Sequence, residues 1–443
     1  MTADQLLPAP AGGLLPAPAI VVECELADGI PRLPCGDGAT QAVVLARIFS
    51  EPLGLLNVTL TSGGIEPDQL ARSLVDEFGP QLRERLEECG VAFAGTLPTD
   101  GIQPPRTPRF LIGRAAVMRD GPEITAAVCT RDRPQELAIA LQGLADQEYP
   151  RLDVVVVDNA PADDRTLRLV ATAARTQPLR YVVEPRPGLS WARNRAIDAT
   201  GSEVIAWVDD DEAADRWWAC EVARAFVEVP EAGAMTGLVV PSELATPSQV
   251  LFERYSGVSR GRGFARAIFS PATRHQQSPL YPLPPFGAGA NMAFRRDAIQ
   301  AIGRFDCALG AGTSTLAGED TAALSSLLLA GGTVVYQPTA IVRHRHRRDY
   351  EALRRVMLGY GRGLGAFYAS MLISHPSCAL ELFALSRRAV ADQLSRGSRR
   401  LRELNGFPPE LLALNRRGVL QGALMYPLAR RRAHRLAGCV SGR

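Results

Sequence analysis

The sequence of 443 residues has almost no net charge, because 49 Lys and Arg stand against 47 Asp and Glu and leave a formal +2. A balance so near zero argues against a nucleic-acid binder held by a global field, although RHRHRR from Arg343 to Arg348 and RRR from Arg430 to Arg432 are local basic patches. The eight cysteines are scattered singly, with no C-x-x-C pair. That removes the common zinc spacing and argues against a disulfide framework; single cysteines in a chain this long fit a reducing compartment. The sequence opens without the basic segment of a secretory signal, and no run reaches the ~20 uninterrupted apolar residues of a spanning helix. Neither G-x-G-x-x-G nor G-x-x-x-x-G-K-[ST] occurs, which counts against a dinucleotide dehydrogenase and a P-loop NTPase. A cytoplasmic protein is expected.

What is present describes a globular chain, 46% apolar and 22% charged, with length for about two or three domains. Residues 1–20 hold LLPAPAGGLLPAPA (Leu6 to Ala19), a Pro-rich repeat expected to be a disordered lead. Residues 21–96 read as a small α+β accessory unit. Two strands within Gln41 to Leu60 would meet at a turn near Pro52 and Gly54, and a helix from Pro67 would bury Leu70, Leu74 and Phe78. The crowding of Pro, Gly and Thr over 97–122 reads as a linker. The main domain is expected over 123–349 and a helical extension over 350–443.

In the main domain ITAAVCT (Ile124 to Thr130), LDVVVVDN (Leu152 to Asn159), RYVVE (Arg180 to Glu184) and VIAWV (from Val204) read as buried strands, with helical spacings between them. This alternation calls for a parallel sheet with helices on both faces. The strands end in polar residues: Thr130, Arg131 and Asp132; Asp158 and Asn159; Asp209, Asp210 and Asp211. Crevices in open α/β sheets lie outside the carboxyl ends of strands, and an acidic residue after a second strand commonly bonds a ribose or base edge. Strand alternation would place Asp209 and Asp211 on one side and Asp210 on the other. Adjacent carboxylates repel unless a cation neutralises them, and hard oxygen ligands suit Mg²⁺ or Mn²⁺, so a divalent-metal and diphosphate site is expected. The plainer alternative is a solvated acidic turn in which Asp215 caps the helix beginning DRWWACEVARAF.

TRDRP (Thr130 to Pro134), VVDNAPADD (Val156 to Asp164), EPRPGLSWARNRAI (Glu184 to Ile197), Asp209 to Asp211, FGAGANMAFRRDAI (Phe286 to Ile299) and GEDTAAL (Gly318 to Leu324) follow in an order that resembles the family 2 glycosyltransferases of the GT-A fold. The likeness runs from Glu123 to Tyr350, about half the chain. It implies a mixed, mostly parallel sheet with helices on both faces, a nucleotide-sugar donor bound across its first half, an acceptor bound by its second half, and inversion at the anomeric carbon. By motif, Thr130, Asp132 and Asp158 would contact base and ribose, and Arg193 the phosphates. Asp209, Asp210 and Asp211 match the D-x-D metal and diphosphate motif, with an extra Asp that leaves the pair in use open. GEDTAAL matches the acceptor motif in which Asp320, beside Glu319, would be the general base; capping of the helix Asp320 to Leu329 explains the same residues without chemistry. Gly287 and Gly289 mark a close backbone approach or a turn. His344 and His346 follow the strand TVVYQPTAIV, where one could give an imidazole to the metal or a positive donor to the leaving diphosphate, or simply tether the surface.

The extension combines YEALRRVMLGYGRGLGAFYASMLI with GVLQGALMYPLARRR. Apolar stretches beside Arg clusters suit either helices lying in an anionic membrane interface, centred on Met357 to Ile373, or ordinary helices packed on the main domain. The leading expectation is therefore a metal-dependent, inverting glycosyltransferase acting on a glycan, lipid or small-molecule acceptor, with no nucleic-acid partner and with peripheral membrane contact. A nucleotidyltransferase would need a basic triphosphate loop, and Arg131 and Arg133 alone do not make one. A transferase-like binding protein without activity would be expected to lack a carboxylate, and none of the three clusters does.

Overall fold

The structure, a computed structural model, describes residues 18–36, 38–256, 263–273, 278–280, 286–394 and 406–438. The Pro-rich lead lies almost wholly outside the described residues. At its end Ala19 and Ile20, expected within it, already belong to β1 (Ala19–Glu25). β1 pairs in parallel with β2 (Gln41–Ile48), which pairs antiparallel with β3 (Glu51–Thr59). The β2–β3 turn falls at Phe49 and Ser50, both at positive φ, rather than at Pro52 and Gly54. Pro52 instead sits opposite Arg47 at a register shift, and Gly54 lies against the Phe78 ring, where a Cβ would come within 2.3 Å. Helix α1 (Pro67–Glu88) starts with Pro at its first turn and a reciprocal Glu66–Gln69 capping box, and its Leu70, Leu74 and Phe78 are buried.

The supposed linker contains a helix, α2 (Arg109–Asp120). Pro and Gly density between Gly101 and Pro108 hid it: the following RFLIGRAAVMRD is buried at Arg114 and Val117, and Arg114 forms a 2.9 Å ion pair with fully buried Glu221.

The expected series then appears as β4 (Ile124–Thr130), α3 (Pro134–Ala145), β5 (Leu152–Asn159), α4 (Arg165–Ala173), β6 (Arg180–Glu184), α5 (Leu189–Asp198) and β7 (Val204–Asp209). These strands lie in the order β7-β4-β5-β6, all parallel. The chain continues through β8 (Glu212–Ala214), α6 (Trp218–Glu228), β9 (Ala232–Pro241), α7 (Pro247–Ser256), β10 (Ala267–Phe269), β11 (Asn291–Arg295), α8 (Arg296–Ala301), α9 (Glu319–Leu329) and β12 (Thr333–His344). β11 runs antiparallel to both β7 and β9, and β12 is parallel to β9, so β6, β5, β4, β7, β9 and β12 share one direction. The sheet is mixed and mostly parallel. Its residues alternate between two cores: Val156, Ala206 and Val208 pack with α3, α4 and α6, whereas Val155, Ile205 and Trp207 pack with α5, α8 and α9.

The N-terminal sheet packs on the outer strands, where Leu45 meets Leu238, Val240 and Ile341. Buried Arg47 reaches 2.7 Å from Asp215, which Arg343 also contacts at 3.1 Å. Beyond β12, α10 (Tyr350–Ser374), α11 (Ala379–Leu394) and α12 (Pro409–Gly438) form the helical extension. α10 and α12 run in the same direction with backbones in contact: a Cβ on Gly365 would sit 1.9 Å from the Val419 carbonyl, and one on Gly422 1.9 Å from the Arg362 carbonyl. Among the described residues no helix is long and apolar enough to cross a membrane.

Candidate functional site

The order β7-β4-β5 places the switch in connection direction between β4 and β7, where a crevice must open at the carboxyl ends of the strands. Thr130 closes β4 and Asp209 closes β7. After Asp209 the backbone turns, and Glu212 opens β8, which pairs antiparallel with β12 opposite His344. Strand alternation therefore stops at Asp209, and the expectation of Asp209 and Asp211 on one side fails: Asp210 and Asp211 share a single partner, Arg133, while Asp209 turns toward Arg193. The solvated acidic turn fails as well, since Asp210 is 5% and Asp211 8% exposed and Glu212 fully buried. Asp215 does accept the Trp217 N–H at 3.2 Å, but its carboxylate is held mainly by Arg47 and Arg343.

Three guanidinium groups supply much of the compensating charge. Arg133 bonds both Asp210 and Asp211, the latter at 2.9 Å; Arg347 stands 3.2 Å from Asp211; Arg193 stands 3.5 Å from Asp209. Burial pushes the Asp210 carboxyl up to about 7 against the pull of Arg133 and the 2.8 Å bond from the Thr130 hydroxyl. For Asp211 burial acts in the same direction, but His344 and Arg133 outweigh it and hold the carboxyl far below the usual range. Burial also raises Asp209, and raises Glu212 strongly with the help of both neighbouring aspartates. Glu212 accepts the Asp209 N–H at 3.0 Å and thereby fixes the turn.

His344 stands with Nε2 3.5 Å from Asp211 Oδ1, and its Nδ1 is 2.9 Å from Nδ1 of His346, whose Nε2 is 2.9 Å from Glu253 Oε2. Of the expected metal set Asp209, Asp211 and His344, the structure brings the last two together and leaves Asp209 beside Arg193. Among the described residues no group of three or more His, Cys, Asp or Glu side chains is arranged to hold a metal ion.

Across the crevice, fully enclosed Arg193 on α5 donates to Glu319 at 2.8 Å and to the Gly289 carbonyl at 3.3 Å. It thus joins the turn that follows β7 to the first turn of α9. Burial pushes the Glu319 carboxyl up to about 7, with Arg193 opposing. Asp320 is placed from two directions: Oδ2 accepts the Gly289 N–H at 2.7 Å, and Oδ1 accepts the Thr321 N–H at 2.7 Å. Gly289 must be glycine for this, since a Cβ there would lie 2.5 Å from Asp320 Cβ. Gly287 is likewise forced, at φ +113° and pressed on Thr236.

At the other end, Asp158 is fully buried; Oδ2 accepts the Tyr181 hydroxyl at 2.8 Å, while Oδ1 has no partner among the described residues. Burial raises its pKa and the Tyr181 hydrogen bond opposes. Asp132, at φ +55°, accepts the Ala162 N–H at 2.9 Å and so ties the loops after β4 and β5 together. Asn159 holds the turn before α5, donating to the Arg186 carbonyl at 2.7 Å and accepting the Gly188 N–H at 2.9 Å. Tyr181, Glu253, the part of Glu212 in fixing the turn and the bridging roles of Arg133 and Arg347 were not foreseen. The basic run Arg343 to Arg348 was visible in the sequence, but nothing in it showed that Arg347 turns back to the acidic cluster.

Residues 125–303 match the family described as Glycosyl transferase family 2. Among curated proteins the chain is 30% identical over 227 residues to the succinoglycan biosynthesis protein ExoM of Rhizobium meliloti, covering 49% of this chain and 65% of that one. It is 21% identical over 251 residues to a glucosyl-dolichyl phosphate glucuronosyltransferase of Haloferax volcanii, covering 54% and 76%. A solved mannosyltransferase of Pyrobaculum calidifontis, in complex with GDP-Man and Mn²⁺, aligns with a TM-score of 0.43 at 20% identity over 72% of this chain and 93% of that one. The chain thus spans about two thirds of the length of ExoM. The match to glycosyl transferase family 2 is carried by residues 125–303, the stretch that holds β4 to β7 and the crevice at their carboxyl ends.

Proposed function

We propose that the protein transfers a sugar from a nucleotide diphosphate sugar to an acceptor hydroxyl with inversion, and that Asp320 is the base. The observation that carries this is Arg193, which binds the turn Asp209 to Asp211 and the first turn of α9 into one crevice, while Asp320 is anchored by the Gly289 and Thr321 N–H groups and the Thr321 hydroxyl rather than by a cation. A carboxylate oriented through N–H donors can accept the hydroxyl proton as the oxygen attacks. Glu319, enclosed and paired with Arg193, cannot turn toward an acceptor without breaking that pair, so it is a positioning residue.

The donor's base and ribose are assigned to the end formed by Thr130, Asp132 and Asp158, where the unpartnered Asp158 oxygen offers a buried acceptor. Arg193 and the turn Asp209 to Asp211 face the diphosphate. A divalent cation, Mg²⁺ or Mn²⁺, fits the donor set at Asp211 and His344. If His346 donates to Glu253, its Nδ1 accepts from His344, which leaves His344 Nε2 facing the Asp211 oxygen acceptor to acceptor; a proton or a metal between them satisfies both. Mg²⁺ is commonly held by one or two carboxylates, here Asp211, and completes its shell with substrate phosphates and water. When bound it would neutralise the leaving diphosphate.

The name of the Haloferax relative supports an acceptor carried on a lipid phosphate, reached at a membrane surface. Calorimetry of a nucleoside diphosphate with metal and with chelator tests the donor assignment; equal affinity in both would remove the metal. Product analysis by NMR decides the stereochemistry, and a retained anomeric configuration would remove Asp320 as a simple base.

A further inference from the structure

We propose that the outer face of α12 docks on a bilayer containing anionic lipid. The inference deepens the reading of a membrane-borne acceptor and rests on it for its purpose, but its physical basis is separate. Leu420, Leu424 and Leu428 are 73%, 78% and 63% exposed. They stand two residues from buried Gly418, Gly422 and Tyr426, about 200° around the helix, so they point away from α10. The outward face of an ordinary surface helix is polar, whereas this one carries leucine at every fourth position across about two turns.

Charge identifies the occupant. Exposed Arg416 and Arg417 precede the leucines, and exposed Arg431, Arg432 and Arg435 follow them. From Leu411 to Gly438 the sequence has no Asp or Glu. An apolar centre between two basic ends matches a helix lying flat, with its leucines among acyl chains and its arginines at the headgroups. Twofold antiparallel pairing of this face with a second copy would bring Arg416 and Arg417 against Arg431 to Arg435, which like-charge repulsion opposes. Of the segment expected to meet lipid, Met357 to Ile373, the face bearing Met357, Gly361, Gly365 and Phe367 is buried, whereas Tyr360, Leu372 and Ile373 are exposed.

The test uses the full chain. Cosedimentation with vesicles of equal parts phosphatidylglycerol and phosphatidylcholine at low salt is expected, with loss on pure phosphatidylcholine and weakening at high salt. Replacing the three leucines by Gln should lower partitioning by about 100-fold or more, and R431Q/R432Q/R435Q by about fivefold per residue. As a second readout, L424W should show a blue-shifted emission quenched by brominated acyl chains only with anionic vesicles. Hydrolysis of the nucleotide sugar in solution should be unchanged in all these variants, so failure of docking and failure of the transferase reading are separable. No wild-type binding to anionic vesicles, binding indifferent to the leucine changes, or a dimer that those changes make monomeric overturns the proposal.

Discussion

Replacing Gly289 by Ala isolates the placement of the base from its chemistry. The added Cβ would lie 2.5 Å from Asp320 Cβ and 2.6 Å from Oδ2, whereas ordinary contact begins at 3.4 Å. The carboxylate or the loop must therefore retreat by roughly 0.9 Å, and the 2.7 Å bond from the Gly289 N–H is lost or bent. A misplacement of about 1 Å at a reacting group can cost on the order of 10²-fold in turnover. The donor contacts assigned to Thr130, Asp132 and Asp158 are untouched, so donor affinity should stay within about twofold. Nucleoside diphosphate release with acceptor present gives turnover, and calorimetry gives affinity. Because G289A and D320N act through one group, the double variant should be no slower than D320N alone. Additive losses, or a G289A enzyme with wild-type turnover, would refute the assignment of Gly289 as the positioner of Asp320.

D320N itself should keep donor affinity and lose about 10²-fold or more in turnover, with E319Q losing less; the reverse ranking in steady-state kinetics moves the base to Glu319. H344A should weaken the Mn²⁺ dependence of nucleoside diphosphate binding by about tenfold, read by titration calorimetry; unchanged metal dependence removes His344 from the site. R47M leaves Asp215 with Arg343 as its remaining cation and should destabilise the fold by about 3 kcal/mol in chemical denaturation, whereas a shift near zero would mean that Arg343 suffices. Glu319 is raised from its ordinary 4.5 to about 7, so the folded state holds its proton more tightly than the unfolded chain. Its contribution to stability is therefore greatest below pH 4.5 and declines as pH rises through about 7; E319Q should flatten that part of the stability profile.

The parallel half of the sheet was legible because its strands are continuous apolar runs and its helices carry clear faces. β5 and β6 match their expected bounds. What the sequence concealed depends on chain reversal and long-range contact. Strand period carries Asp210 and Asp211 to opposite faces only if the strand continues, and nothing local announces that it ends at Asp209. Helix α2 was lost behind a Pro-rich approach, and the β2–β3 turn uses Phe49 and Ser50 at positive φ, residue types that do not advertise one. The arginines that neutralise the acidic turn come from three separate elements, so no spacing rule could gather them. The Gly-rich part of α10 read equally well as a lipid-facing or a packed surface, and contact with α12 decided it.

Helix α10 also touches the loop before α9, where Gly318 meets the Gly363 backbone directly. A Cβ on Gly318, at φ +100°, would lie 2.7 Å from the Gly363 carbonyl, and one on Gly363 would lie 2.6 Å from Ala317 Cβ. Gly318 caps the helix that begins with Glu319 and Asp320. Backbone seated on backbone has no rotamer to adjust, so it cannot absorb a change of register or of residue size. For protein engineering, the junction at Tyr350 is therefore a poor place to cut or to graft. A chimera that takes residues up to Asp349 from this chain and its last helices from another inherits a proposed base, Asp320, whose helix cap was shaped by a helix left behind.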